Sequence, residues 1–366
     1  MASKGGGNGD SKGGGCDDPH HQRPRLRIVS LLPSITEILA ALGFSEEIVG
    51  VTHCCDYPPS ALNGAVVVTT SEVRPALLSQ REIHERVCGS HRRGDSLYSL
   101  DDDALRQLRP VTHVFTQSLC DVCAVSSPLV QETCARIFAH EQQPSAEGAP
   151  PPDIVSLEPK SLSDVWLTVR YAGRLLGAEA NAEAVVVSCL HDLEQIREAV
   201  REARLSGAGE KKKPPKVAFL EWHDPFFSGG HWVADMVEIA GGDYTLNESG
   251  RRSARLTDEE LLRYDPDVIL IGPCGFDTDR AVRDTLPLLN SDDESRAACW
   301  RGLRAVQAGR VYALDGNSYY ARPGPRLVQG VGLMARCLHP GIEIPERLAP
   351  TRGMRQITLD MYTPAK

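Results

Sequence analysis

From Arg25 onward, apolar and polar positions follow two alternating periods. Short apolar runs bounded by turn residues read as strands: RIVSLL (27–32), IVGVTH (48–53), AVVVTT (65–70), THVFTQ (112–117) and DIVSLEP (153–159). Between them lie segments with helical spacing, SITEILAALG (34–43) and DDDALRQLRP (101–110). Ser34 and Glu37 fit a capping box, Gly43 fits a C-terminal stop, and Pro110 ends the second helix. From Ser161 to Leu205 the helical pattern runs on, weakened at Gly173 and Gly177, so the stretch is one bent helix or two. After two prolines at 214–215 the alternation resumes. KVAFLEW (216–222), DVILIGP (267–273) and RVYALDG (310–316) read as strands, WVADMVEIAGG (232–242) and TDEELLRYDP (257–266) as helices, and another helix starts near Arg326.

Strand–helix alternation predicts βαβ units and an α/β fold. The expectation is two lobes with mostly parallel central sheets, bridged by one long helix. The boundaries are a disordered Gly-rich tail at 1–25, an N-terminal lobe at 26–160, the connecting helix at 161–205, a C-terminal lobe at 206–345 and a tail at 346–366. The halves rhyme: DDDALRQLRPVTHVFTQSLC and TDEELLRYDPDVILIGPCGF each run from an acidic helix start through leucines and a proline to an apolar strand and a cysteine loop.

The length of 366 residues suits two domains of ordinary size. A net charge of −9 argues against a general nucleic-acid binder. The basic runs at Lys211–Lys213 and Arg251–Arg252 have no interleaved aromatic residues and read as solvated loops. No apolar run approaches the ~20 residues of a membrane span. The N-terminal stretch MASKGGGNGDSKGGGCDDPHHQ has no apolar core of the secretory kind, and the eleven cysteines then predict a cytoplasmic setting with mostly free thiols. On that basis no ABC-transporter partner is expected, and the chain is expected to be a monomer.

Ligands of open parallel sheets bind beyond the carboxyl ends of the strands. Those ends carry HCCDYPP (53–59), SLCDVCAVSSP (118–128), EWHDPFFSGGHW (221–232), GPCGFD (272–277) and DGNSYYARPGPR (315–326), so unusual side chains gather on one edge of both lobes. The C-x-x-C of Cys120 and Cys123 has three readings. It forms part of a zinc site, for which His53 and Cys274 are further candidates; it runs dithiol redox chemistry, against which Asp121 works; or it packs a tight loop as two small apolar thiols, the favoured reading. Glu221, His223, Asp224 and His231 make an acid–base set, yet no G-x-S-x-G, H-E-x-x-H or G-x-x-x-x-G-K motif supplies a nucleophile, metal or phosphate loop. Trp222, Phe226, Phe227 and Trp232 suggest flat apolar walls for a large ligand, or the filling of a lobe core.

Together, RIVSLLPSITEILAALGF, VGVTHCCDYPP, TQSLCDVCAV, EWHDPFFSGGHWVADMVEIAGG, PCGFD and VYALDGNSYYARPGPRL resemble, in that order, the cobalamin-binding type of periplasmic substrate-binding proteins, in the superfamily of vitamin B12, ferric siderophore and haem binders. The likeness runs from about Arg25 to about Pro340. It implies two α/β lobes joined by a rigid helix, with limited hinge motion and a ligand held between the lobes. Carried over residue by residue, it names His53, Asp56, Tyr57, Gln117, Cys120, Cys123, Glu221, Trp222, His223, Asp224, His231, Trp232, Phe276, Asn317, Tyr319 and Arg322 as ligand-binding candidates. The ligand implied is cobalamin, another corrinoid or a related metal-tetrapyrrole. Trp222 and Trp232 would cover its faces, Asn317, Arg322 and Gln117 would bond its rim, and His53, His223 or His231 would approach the metal. A cleft enzyme using Glu221, His223 and Asp224 with a Cys120 or Cys123 thiol is the alternative, and an interaction module with a vestigial cleft is the third.

Overall fold

The computed structural model describes residues 26–71, 73, 75–93, 96–117, 127–138, 150–205, 212–288, 294–358 and 361. Among the described residues twelve strands carry the architecture: β1 Ile28–Ser30, β2 Ile48–Val51, β3 Val66–Val67, β4 Thr69–Ser71, β5 Tyr98–Leu100, β6 His113–Thr116, β7 Asp153–Ser156, β8 Val217–His223, β9 Phe226–Ser228, β10 Val268–Ile271, β11 Val311–Leu314 and β12 Met354–Ile357. The first lobe holds a five-stranded parallel sheet in the order β3-β2-β1-β6-β7. The second holds β12-β11-β10-β8-β9, parallel across β8, β10 and β11 and antiparallel at both edges. Strands β1, β10 and β11 are buried along their whole length, which is why their sequences read as unbroken apolar runs rather than as alternation. The two rhyming segments occupy matching places: helices Asp102–Gln107 and Asp258–Tyr264 lead into β6 and β10, and each of these strands pairs with the first strand of its own lobe.

Four differences from the expected elements have physical causes. AVVVTT is not one strand: β3 ends the first sheet, and β4 turns away to pair with β5. Helix Pro33–Ala41 starts on its own proline with no side-chain cap, because Glu37 is used elsewhere, on two arginines of the other lobe. The long connecting stretch is two helices, Leu162–Leu176 and Glu179–Leu205. Gly177 separates them in the left-handed conformation (φ 70°, ψ 34°), which an L side chain adopts only under strain. The two helices then touch where a Cβ on Gly173 would overlap Ala182. Finally, the segment set apart as a C-terminal tail supplies β12, whose Ile357 is buried against β11 opposite Val311.

One buried apolar cluster runs from Ile35 and Phe115 in the first lobe, through Trp166 and Ile196 on the two connecting helices, into Phe219 and Leu333 of the second. Burial of this kind stabilises by about 25 cal/mol per Å² of apolar surface, so one side of the lobe junction is welded. Separate clusters fill the outer faces of the two sheets. Among the described residues, no helix is long and apolar enough to cross a membrane.

Candidate functional site

Opposite the welded side, the strand-end loops of the two lobes meet in two polar junctions. The first centres on Arg322, which is only 5% exposed. Its Nη1 donates to Glu37 Oε1 (3.1 Å) and Asp56 Oδ1 (2.5 Å), and its Nη2 to Asp56 Oδ2 (3.0 Å), Asn317 Oδ1 (2.9 Å) and the Cys54 carbonyl (3.3 Å). Asn317 adds a bond from its own Nδ2 to Asp56 Oδ2 (3.0 Å). Arg326 donates to the same Glu37 through Nε (2.8 Å) and Nη2, and its guanidinium lies 4.3 Å from the centre of the Tyr57 ring. Burial works against the Arg322 charge, but hydrogen bonding and attraction from Asp56 and Glu37 outweigh it and raise its pKa. Burial likewise works against the Asp56 carboxylate, and the Arg322 bond more than compensates, lowering its pKa.

The second junction centres on His223, at the end of β8 and 1% exposed. Its backbone N–H donates to Gln80 Oε1 (3.1 Å), and its Nε2 lies 2.9 Å from the carbonyl of Asp284. A carbonyl only accepts, so Nε2 carries the ring proton and Nδ1 is left to accept from Gln80 Nε2 at 3.2 Å. Burial pulls the His223 pKa down to about 4, which keeps the imidazole neutral. Beside it, Asp224 is bonded by Arg81 from the first lobe (3.0 Å) and Arg296 from the second (2.7 Å). Arg280 reaches across to the carbonyls of Pro75 (2.9 Å) and Leu78 (2.5 Å).

The remaining candidates divide between cleft and core. His53 and Tyr57 are exposed on the loop after β2. His53 Nδ1 pairs with Thr69 Oγ1 (2.7 Å), its ring tilts against Tyr98 at 5.6 Å, and burial lowers its pKa, so it stays neutral. Trp222 is half-buried, with its ring 5.3 Å from Phe276, and Phe276 in turn lies under Arg280 at 4.3 Å. Trp232 is a core residue, 6% exposed, whose indole N–H donates to the Tyr320 carbonyl (2.8 Å). Tyr319, Phe276 and Gln117 are buried too. Glu221 accepts from the Gly230 N–H (3.0 Å) and the Ser253 hydroxyl (2.7 Å), and burial raises its pKa. His231 sits in the left-handed region (φ 54°), and its Nε2 is buried without a hydrogen-bond partner. Of the acid–base set grouped in sequence, Glu221 is thus committed to partners of its own, while His223 and Asp224 share Arg296, which donates to the His223 carbonyl (2.6 Å) and to the Asp224 carboxylate. Cys120 and Cys123 lie outside the described residues, so the structure says nothing of the C-x-x-C. Among the described residues, no group of three or more His, Cys, Asp or Glu side chains is arranged to hold a metal ion.

Six residues whose side chains build the junctions are missing from the sequence-based candidates: Glu37, Gln80, Arg81, Arg280, Arg296 and Arg326. Only Glu37 left a signal, as a charge inside the apolar run Ile35–Leu39 of a buried helix face.

Residues 152–318 match the family model described as periplasmic binding protein. Over those residues the chain resembles that family. An uncharacterised ABC transporter substrate-binding lipoprotein of Bacillus subtilis is 24% identical over 324 residues, 86% of this chain and 80% of that protein. Two solved structures share the fold: a periplasmic haem-binding protein of Pseudomonas aeruginosa (TM-score 0.61, 18% identity, 88% of this chain and 96% of that one) and the periplasmic vitamin B12-binding protein of Vibrio cholerae (TM-score 0.52, 18% identity, 85% and 96%). The family likeness read from six motifs and the two-lobed α/β fold both stand. The expected cytoplasmic setting does not: the Bacillus relative is a lipoprotein of ABC transport, and the structural likenesses are to periplasmic proteins. The exclusion of a transporter partner rested on that setting and falls with it.

Proposed function

We propose that this chain is a substrate-binding protein of the periplasmic type that holds a metal-tetrapyrrole between its lobes, a corrinoid being the first candidate. The observation that carries the reading is the make-up of the cleft edge: flat rings and polar handles from both lobes converge on one line of strand ends. Tyr57 and His53 come from the first lobe, Trp222 with Phe276, Asn317 and Arg322 from the second. A wide, flat ligand with a polar rim has this complement. His53 is the metal-facing candidate, since Nδ1 is tied to Thr69 and the neutral ring keeps Nε2 for coordination. The names of the Pseudomonas and Vibrio proteins support the ligand class. An ABC transporter is the partner this class implies.

The test is an absorption spectrum of the purified protein followed by titration with cobalamin and with haem. Saturable binding with a shifted visible band supports the reading. No binding of either at ~100 μM, a free energy weaker than roughly −5.5 kcal/mol, sinks it. The cleft-enzyme alternative gains nothing from the geometry, because Glu221, His223 and Asp224 do not converge on a shared point.

A further inference from the structure

The Arg322 junction has an asymmetry that bears on what the cleft accepts. On its inner side Arg322 is bonded to Glu37, 3% exposed, on a helix of the welded core. On its outer side it forms a two-pronged pair with Asp56, whose side chain is 54% exposed and is carried by the loop after β2. Asn317 Nδ2 completes the grip on Asp56 Oδ2, and Asn317 is itself fixed, its N–H donating to the Phe276 carbonyl (3.0 Å) and its Oδ1 accepting from Arg322. The donors that hold the Asp56 carboxylate therefore all come from one rigid segment of the second lobe, 317–322. The carboxylate itself comes from the other lobe, on an exposed loop.

Paired donors in a fixed fork match the two oxygens of any carboxylate. If the Asp56 loop moves aside, Glu37 still holds Arg322 Nη1 and Asn317 still holds Nη2, so the fork stays oriented, while Glu37 alone faces Arg322 and Arg326 and a positive charge is left to attract an anion. An incoming carboxylate then replaces like with like.

We propose that Arg322 and Asn317 form a carboxylate receptor at the floor of the cleft, that Asp56 is its resident stand-in, and that the cargo bears a carboxylate which displaces Asp56. For the cargo, this rests on the tetrapyrrole reading and narrows it to macrocycles with free carboxylate side chains rather than fully amidated ones. The receptor itself does not depend on that reading.

Two measurements on the full chain separate the two ideas. The first is titration of the wild type, Asp56→Asn and Asn317→Ala with haemin and with its dimethyl ester. Asp56→Asn removes the internal competitor, so haemin affinity is expected to rise ~10-fold while ester affinity is unchanged; Asn317→Ala is expected to weaken haemin alone. Equal affinity for acid and ester in all three proteins overturns the proposal. The second is hydrogen exchange of the 52–58 loop with succinate at tens of millimolar against chloride at equal ionic strength. Exchange faster in succinate for the wild type, with no succinate effect in Asp56→Asn, supports the receptor even if no tetrapyrrole binds. No succinate-specific change in the wild type overturns it whatever the tetrapyrroles do.

Discussion

His223 predicts a pH-dependent loss of stability that a single substitution isolates. Burial lowers its pKa from the ordinary 6.5 to about 4, so between those values the unfolded chain binds a proton that the folded chain refuses. The stabilisation is complete above pH 6.5 and is lost as pH falls toward 4. At pH 5 the population-weighted loss is about 2 kcal/mol relative to pH 7, worked from that shift at roughly 1.4 kcal/mol per unit. Protonation puts a second N–H on the ring, facing the Gln80 amide that Nδ1 now accepts from, so the lobe junction weakens with the proton. His223→Gln keeps a donor for the Asp284 carbonyl and does not titrate. Urea unfolding of both proteins at pH 7 and pH 5 is the assay. The wild type should lose ~2 kcal/mol more than the variant over this interval, and all other titrating groups cancel in the comparison. Parallel losses, equal within about 0.5 kcal/mol, would refute the assignment of His223 as a neutral, buried junction residue.

Three further outcomes are expected. Glu37→Gln removes the buried carboxylate shared by Arg322 and Arg326. It should cost about 2–3 kcal/mol, below the ~3–5 of a fully broken buried pair because Asp56 still faces Arg322, and an unfolding free energy within ~0.5 of wild type contradicts the junction. In Gly230→Ala a Cβ would overlap the backbone nitrogen of Ser253, with no flexible side chain to yield. A loss of about 1–3 kcal/mol is expected, together with loosening of the Glu221 bond to the Gly230 N–H; a wild-type melting curve shows instead that the 250–253 loop can retreat. Cys54 is exposed at the surface, yet the protein packed around its thiol, and then Cys55, push the thiol up to about 11. Iodoacetamide labelling at pH 8, followed by peptide mass spectrometry, should therefore be ~10- to 100-fold slower at Cys54 than at a thiol of the ordinary value 9.0, the thiolate fraction falling while its nucleophilicity rises, and equal rates refute the shift.

The fold was legible because its strands are buried and its breaks are written in glycine and proline. RIVSLL, DVILIGP and RVYALDG carry unalternated, mainly apolar centres because both faces of each strand are covered, and Pro110 ends a helix where the sequence says it must. Gly177 was visible as a weak point, but only the contact between Gly173 and Ala182 decides that the connection turns rather than bends. The capping box at Ser34 and Glu37 shows the limit of local signals. A motif worth about 1 kcal/mol at a helix start yields to a tertiary partner worth more, and nothing within four residues of Glu37 announces Arg322, which lies 285 positions away. The same limit applies to Trp222 and Trp232. Both read as ligand walls, yet only packing separates the half-buried ring beside Phe276 from the core ring bonded to Tyr320.

The two sides of the lobe junction differ in what they permit. On the welded side, separating the lobes would expose the continuous apolar layer around Trp166, Ile196, Phe219 and Leu333, at a cost that grows with every Å² uncovered. On the cleft side the contacts are polar and exchangeable: water can take the place of the exposed Arg81 on Asp224 with little net change, whereas the buried Arg322 gives up Asp56 cheaply only to another carboxylate. Ligand entry is therefore expected to work through loops that surrender polar contacts, above all 52–58, and not through a wide swing of whole lobes. Within the cleft, the deeply buried partners Glu37 and His223 fix the geometry, and the half-exposed Asp56 is the one that can yield.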